Sequence, residues 1–244
     1  MRHMHHLKIR ISAFSGSILM TALGIDLMTA LGIDLITVAS LGTSPISSVP
    51  LVISLYTPWT FGQLTFVLNM VFIALQIVLL RRQFRPAELL QVAVNFVFSA
   101  AIDFFMHAMA GLQGLSWPLA LALLIAGCAT LAFGICIEVA SQVLMVPGDG
   151  AVKAIAQTGK WRMGSTKVVF DSTMVTLAVI LSFLYGGLGT LTGLGIGTLI
   201  SAMLVGRFVN FFNGRVFIIE RLARLSLDDE RLAQPGRNFD HEVM

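Results

Sequence analysis

Charge is what this chain has least of: of its 244 residues, 12% are charged and 56% hydrophobic. A soluble domain of this size carries about twice that charge to cover its surface, so the composition excludes an ordinary soluble fold and points to an integral membrane protein. Cysteine is nearly absent. Cys128 and Cys136 lie in one apolar run without CxxC spacing, which excludes a disulfide scaffold and a thiolate metal centre and leaves two small apolar residues. Catalytic signatures are missing as well. There is no HExxH, the "GDG" of residues 148–150 lacks the glycine that opens a GxGD motif, and no Ser and His fall at matching depth. The expectation is therefore no enzyme, no metal and no cofactor. The histidines at positions 3, 5 and 6 read as a solvated basic terminus. No cleavable signal peptide is expected, because the apolar run behind "MRHMHHLKIR" is too long and ends on no small-residue cleavage site.

Long apolar runs are what the chain does have. Six are near or above the roughly 20 residues that cross a bilayer as a helix: 11–41, 61–80, 86–109, 117–144, 164–185 and 193–212. Between two of them sits a Gly-rich, charged stretch, "MVPGDGAVKAIAQTGKWRMG". A shift of 102 residues supplies its twin, because 30–80 then aligns without a gap onto 132–182 with ten of 51 positions identical. Gly32 meets Gly134, Pro45 meets Pro147, Trp59 meets Trp161 and Gly62 meets Gly164. Two Gly, a Pro and a Trp at one offset mark an internal repeat.

Each twin opens on Pro, runs through a short helical stretch (46–57 and 149–158) and closes on Trp and Gly. As helices these span only about 15–18 Å, too short to cross, so the choice lies between a re-entrant half-helix and a crossing in a thinned region. Basic residues decide. All sixteen Lys and Arg avoid 42–60, 110–117 and 185–192. Re-entrant segments then put every basic cluster in the cytoplasm, as the positive-inside rule requires, whereas two crossings would force "RRQFR" outside. The expected fold is an all-α membrane protein of six transmembrane helices plus two short re-entrant half-helices. Residues 1–10 form a cytoplasmic N-terminus, 11–110 the first repeat, 117–212 the second and 213–244 a cytoplasmic tail. Three crossings per repeat is an odd number, so the second repeat is inverted relative to the first. Inverted-topology repeats commonly place a solute path where their broken helices meet.

The segments "LGTSPISSVPLVISL", "FGQLTFVLNMVFIALQIVLLRRQFRPAELLQ", "VPGDGAVKAIAQTGKWRMGSTKVVFD" and "GLGIGTLISAMLVGRFVNFF" resemble the bacterial YczE/YyaS/YitT-type membrane proteins, over roughly residues 30–213. That resemblance implies a multi-helix protein of the bacterial inner membrane and no particular substrate. One feature departs from it. "TALGIDLM" (21–28) is followed at once by "TALGIDLI" (29–36), a tandem duplication that lengthens the first helix by two turns. Eight residues rotate a helix by about 800°, so Asp26 and Asp34 point about 80° apart and cannot share one site. Asp26 is expected in or near the interface and Asp34 is the better candidate for a buried role.

Ionisable groups inside a bilayer are costly and each is a functional hypothesis. Glu138 is read either as a site residue or as a hydrogen-bond partner of Lys153 or Lys167. Asp171 and its repeat equivalent Asn69 would line a cavity or join helices. In the first half-helix, Thr43, Ser44, Ser47 and Ser48 offer hydroxyls and free amides near a positive helix end. In the second, Gly148 and Gly150 permit close backbone approach, Asp149 is an N-cap or a ligand, and Lys153 either pairs with Asp149 or holds an acidic group of a solute. Asp103 and Trp59, Trp117 and Trp161 read as interfacial. The expected function is a transporter of a small polar solute, anionic or amphoteric, working by alternating access. Its rivals are a passive channel of the same architecture and a non-transporting accessory or regulatory protein. The expected partners are the bilayer, a small-molecule solute and, as an open option, further copies of the chain, with no nucleic acid.

Overall fold

A computed structural model describes residues 22–84, 86–112, 114–141, 145–187 and 191–212. Both termini, with the expected tail and the start of the first helix, lie outside the described residues. Those described form eight α-helices and no strand: α1 (22–38), α2 (Ser48–Ser54), α3 (Phe61–Leu80), α4 (Leu90–Ala108), α5 (Trp117–Ser141), α6 (Pro147–Gly159), α7 (Met163–Gly186) and α8 (Ile196–Phe212). Four of the described helices are long and apolar enough to cross a membrane, at Phe61–Gln83, Leu90–Ala108, Trp117–Val139 and Met163–Gly186. α8 is apolar but shorter, at 17 residues. Large apolar side chains such as Val71, Phe96, Val168 and Leu184 face outward along these helices, as a lipid environment requires.

The two short elements start and stop for local reasons. Pro147 occupies the first turn of α6, where its missing N–H costs nothing. At the other end Lys160 takes a left-handed conformation with φ 54°, while Trp161 N–H donates to Ala156 and Lys160 N–H to Gln157. This pair of bonds closes a helix in the Schellman manner. α2 spans seven residues, shorter than the 46–57 expected, because Pro45 and a turn over 45–47 delay its start. α3 then opens on a capping box in which Thr60 and Gln63 satisfy each other's backbone amides.

Tight backbone approach joins α1 to α5. A Cβ on Gly32 would lie 2.5 Å from the Leu131 amide nitrogen, one on Gly134 would lie 2.7 Å from the Thr29 hydroxyl, and one on Gly127 would lie 2.8 Å from Ile36. As the α1 number rises the α5 number falls, so the two helices run antiparallel. Residue 29 is the repeat equivalent of 131 and 32 of 134, so the pairs Gly32–Leu131 and Gly134–Thr29 exchange under the 102-residue offset. Ile46 and Gly148 are also equivalents, and they face each other: a Cβ on Gly148 would sit 3.2 Å from Ile46 Cδ1. The two short helices follow the same exchange. α2 packs on α3 and α7, and α6 packs on α7 and α3. Between them Val49, Val52, Phe72, Ala151, Val152, Phe170 and Met174 form a buried core.

The halves differ in one respect. α4 packs along α3, whereas α8 packs along α5 and makes at most marginal contact with α7 among the described residues. The outer flank of α7 is left as a shallow groove lined by Val168, Val169, Ser172, Thr173, Thr176 and Leu177.

Candidate functional site

The start of α6 gathers charge from its neighbours. Asp149, in the first turn of α6, accepts a 2.7 Å hydrogen bond from Lys167 Nζ on α7, and Lys167 also lies 3.4 Å from Asp171 one turn along. From α5, the buried Glu138 accepts the backbone N–H of Val146, the residue that precedes α6. The charges of Asp149, Asp26 and Lys167 all reach Glu138. Glu138, Asp149 and Asp171, from α5, α6 and α7, thus gather about the Lys167 ammonium at the start of α6, with Asp26 of α1 near Glu138. Such an arrangement holds a group that carries both signs, or exchanges one carboxylate partner of Lys167 for that of a ligand.

Several expectations change here. Asp149 is not the N-cap. That place belongs to Val146, whose N–H is taken by Glu138 rather than by a cap in its own segment. Lys153 is exposed, and among the described residues the partner of Asp149 is Lys167. Asp26, expected in or near the interface, is buried within the protein at 5% exposure. Antiparallel packing brings that part of α1 level with Glu138, whereas Asp34, two turns on, is felt by Asp103 instead. The two duplicated acids therefore serve different places, as their helical angle requires. Gly150 and Gly148 are buried, and a Cβ on Gly150 would meet Gln76 Oε1 at 2.8 Å. Gln76 also donates to the Pro147 carbonyl at 3.0 Å, so α3 grips the start of α6 through an amide.

Before and within α2 the hydroxyls are occupied internally. Thr43 Oγ1 shares a 2.8 Å bond with Thr37, Ser44 donates to Ser47 at 2.8 Å, and Ser48 donates to the Pro45 carbonyl. Thr43 N–H donates to Thr198 and its carbonyl accepts from Ser201, while Gly197 N–H donates to Leu41. Gly42, at φ 142°, and Gly197 allow this approach, since a Cβ on Gly42 would meet the Thr198 amide at 2.5 Å. The Gly-Thr-Ser-Pro segment is thereby knitted to the start of α8.

A polar seam between α3 and α4 was not anticipated. Asn69 donates to Asn95 at 2.7 Å, Asn95 donates to the Phe66 carbonyl, and Gln76 faces Gln91 at 3.4 Å. Asn69 thus joins helices, while its equivalent Asp171 joins the ionic cluster. Gln91, Asn95, Ser99 and Asp103 recur every fourth residue, one side of α4 over about 18 Å. Asp103, expected at the interface without further role, accepts from Thr60 Oγ1 at 2.6 Å and from Gly62 N–H at 2.8 Å, holding the start of α3. The i, i+4 recurrence of polar residues within an apolar run was the available signal.

No curated protein and no solved structure matches the chain. A family profile matches residues 7–214, and its description is a family of unknown function, DUF6198, which does not extend to the YczE/YyaS/YitT assignment. The chain belongs to that family of unknown function.

Proposed function

We propose that the chain is a membrane transporter of a small polar solute bearing a carboxylate or both charges, built as two inverted repeats with the solute held at the start of α6. The observation that carries this reading is the cluster of Glu138, Asp149, Lys167 and Asp171 from three packed elements within an apolar bundle. Such charge costs free energy in a membrane segment and is retained where something is bound. The antiparallel pairing of α1 with α5 through repeat-equivalent residues supports an inverted arrangement, and inversion supports alternating access. Kinship with YczE/YyaS/YitT-type proteins and an inner-membrane location with both termini cytoplasmic belong to the same proposal.

Topology is tested first. Pro58→Cys, in a background with Cys128 and Cys136 replaced by alanine, places a thiol in the exposed turn after α2. An impermeant maleimide added outside intact cells is expected to label it. Labelling from the cytoplasmic side alone makes the short segment a crossing and removes the inverted repeat.

Transport is tested by uptake of labelled amino acids and small organic acids into vesicles carrying the protein. Lys167→Gln is expected to lower saturable uptake and counterflow at least about tenfold, the order of one charge-assisted contact. Lys153→Gln, at the exposed lysine, is expected to leave it unchanged. Equal behaviour of the two variants rejects the site. Flux without saturation or counterflow identifies a channel.

A further inference from the structure

Away from the ionic cluster, one acid is enclosed without a partner. Asp34 on α1 is fully buried, at 0% exposure, and neither carboxyl oxygen has a hydrogen-bond partner among the described residues. On α1 it lies between Ile33 and Ile36, members with Ala30 of an apolar core that also includes Phe98, Ile102, Cys128 and Leu131. The hydroxyl of Ser99 on α4, also buried, is likewise unpartnered. One turn further along α4, Asp103 extends its charge to Asp34. The titratable groups on the elements packed here are Asp103 and His107 on α4, Cys128, Cys136 and Glu138 on α5, Asp26 on α1 itself, and the exposed Arg207 on α8. The described residues of α1, α3, α4 and α5 contain no lysine and no arginine.

An ionised carboxylate without a donor is among the most expensive groups to enclose in an apolar medium. Asp103 differs in having two donors, Thr60 Oγ1 and Gly62 N–H, and it adjoins the exposed Thr60. It is therefore equipped to remain an acceptor while its neighbour changes state. A metal ion would need several more oxygen ligands than the two carboxyl oxygens and one hydroxyl left over here. A proton needs one oxygen.

We propose that Asp34 is an exchangeable proton-binding site, reached from the Thr60 end of the bundle past Asp103 and Ser99. On loading, a hydronium ion gives its proton to one Asp34 oxygen, the carboxylate becomes a carboxylic acid and a water molecule leaves. On release the steps reverse. Its use as the coupling proton rests on the transporter reading; its existence does not.

The test is infrared spectroscopy of the purified full chain in lipid nanodiscs, with no solute added. Wild-type protein at neutral pH is expected to show a carboxylic-acid C=O band that Asp34→Asn removes, Asp26→Asn leaves and Asp34→Glu restores at a shifted position. Transfer to D2O is expected to shift the band within minutes. If Asp34→Asn fails to fold, labelling of aspartate carboxyl carbons in the wild type and in Asp34→Glu isolates the same band, because the substitution takes residue 34 out of the labelled set and the labelled band is lost. Absence of the band at neutral pH overturns the proposal, as does a band that stays unshifted in D2O for hours. Loss of the band on adding sodium at constant pH also overturns it, in favour of a sodium site. Because no solute enters this measurement, its failure is distinct from failure of the uptake experiment.

Discussion

Lys167→Met is expected to lower the stability of the folded bundle by about 2–3 kcal/mol. Removing one partner of a buried ion pair costs about 3–5 kcal/mol, because the other charge is stranded. The lower figure applies here because the Lys167 side chain is one-third exposed and Asp149 nearly one-fifth, so water screens part of the loss. Two acids are stranded at once, Asp149 and Asp171, beside the buried Glu138. Thermal unfolding in detergent reads this as a fall in Tm of about 5–10 °C. Adding Asp149→Asn and Asp171→Asn to the same chain is expected to recover most of the loss, since the repulsion disappears with the charges. Lys153→Met supplies the comparison. It removes an exposed lysine from the same half-helix and is expected to shift Tm by less than about 1 °C. Equal losses at the two lysines contradict the ion-pair account.

Gly62→Ala and Gly164→Ala are expected to differ sharply although the two glycines are repeat equivalents. A Cβ on Gly62 would run into the Ser99 carbonyl oxygen and lie 2.6 Å from Asp103 Cγ, and the nearest obstacle is backbone. α3 and α4 must then separate, and the bond from Gly62 N–H to Asp103 lengthens with them. Overpacking of this kind costs about 1–3 kcal/mol, and loss of the cap adds to it. Around Gly164 nothing lies within 4 Å of the added carbon. There the substitution only replaces a glycine in a helix by a better helix former, worth up to about 1 kcal/mol of gain. Tm values and expression levels of the two variants side by side make the measurement. Similar destabilisation by both would mean that α8 covers α7 as α4 covers α3.

Much of the fold could be read from residue order. Long apolar runs gave the positions of the four described helices long and apolar enough to cross, Pro147 and Trp161 bracketed α6, and the 102-residue offset paired Ile46 with Gly148, which meet. The pairing of Asp149 could not be read, because Lys153 stands at i+4 on the same helix and Lys167 on the next. Local spacing favours the first, and the packing of α6 against α7 selects the second. The burial of Asp26 could not be read for a related reason. Its depth depends on where α1 sits against α5, which Gly32, Gly127 and Gly134 set by allowing one particular register. The seam of Gln91, Asn95, Ser99 and Asp103 was visible as a four-residue period yet hidden by composition, since each polar residue sits among apolar neighbours in an otherwise hydrophobic run. Thr43, Ser44, Ser47 and Ser48 illustrate the opposite case. Hydroxyls near a short helix suggested free donors, but small side chains there bond to nearby carbonyls and to one another.

The meeting of Ile46 with Gly148 bears on how such a chain changes over time. A duplicated segment begins with the same side chain at both positions, and where the copies touch at equivalent points every change in size is doubled while they remain identical. Two isoleucines would collide there, and two glycines would leave a void. Divergence of the halves is what allows one large and one absent side chain to share the space. A side chain at residue 148 would begin 3.2 Å from the end of Ile46, so enlarging one position calls for a shift or a trimming of the other.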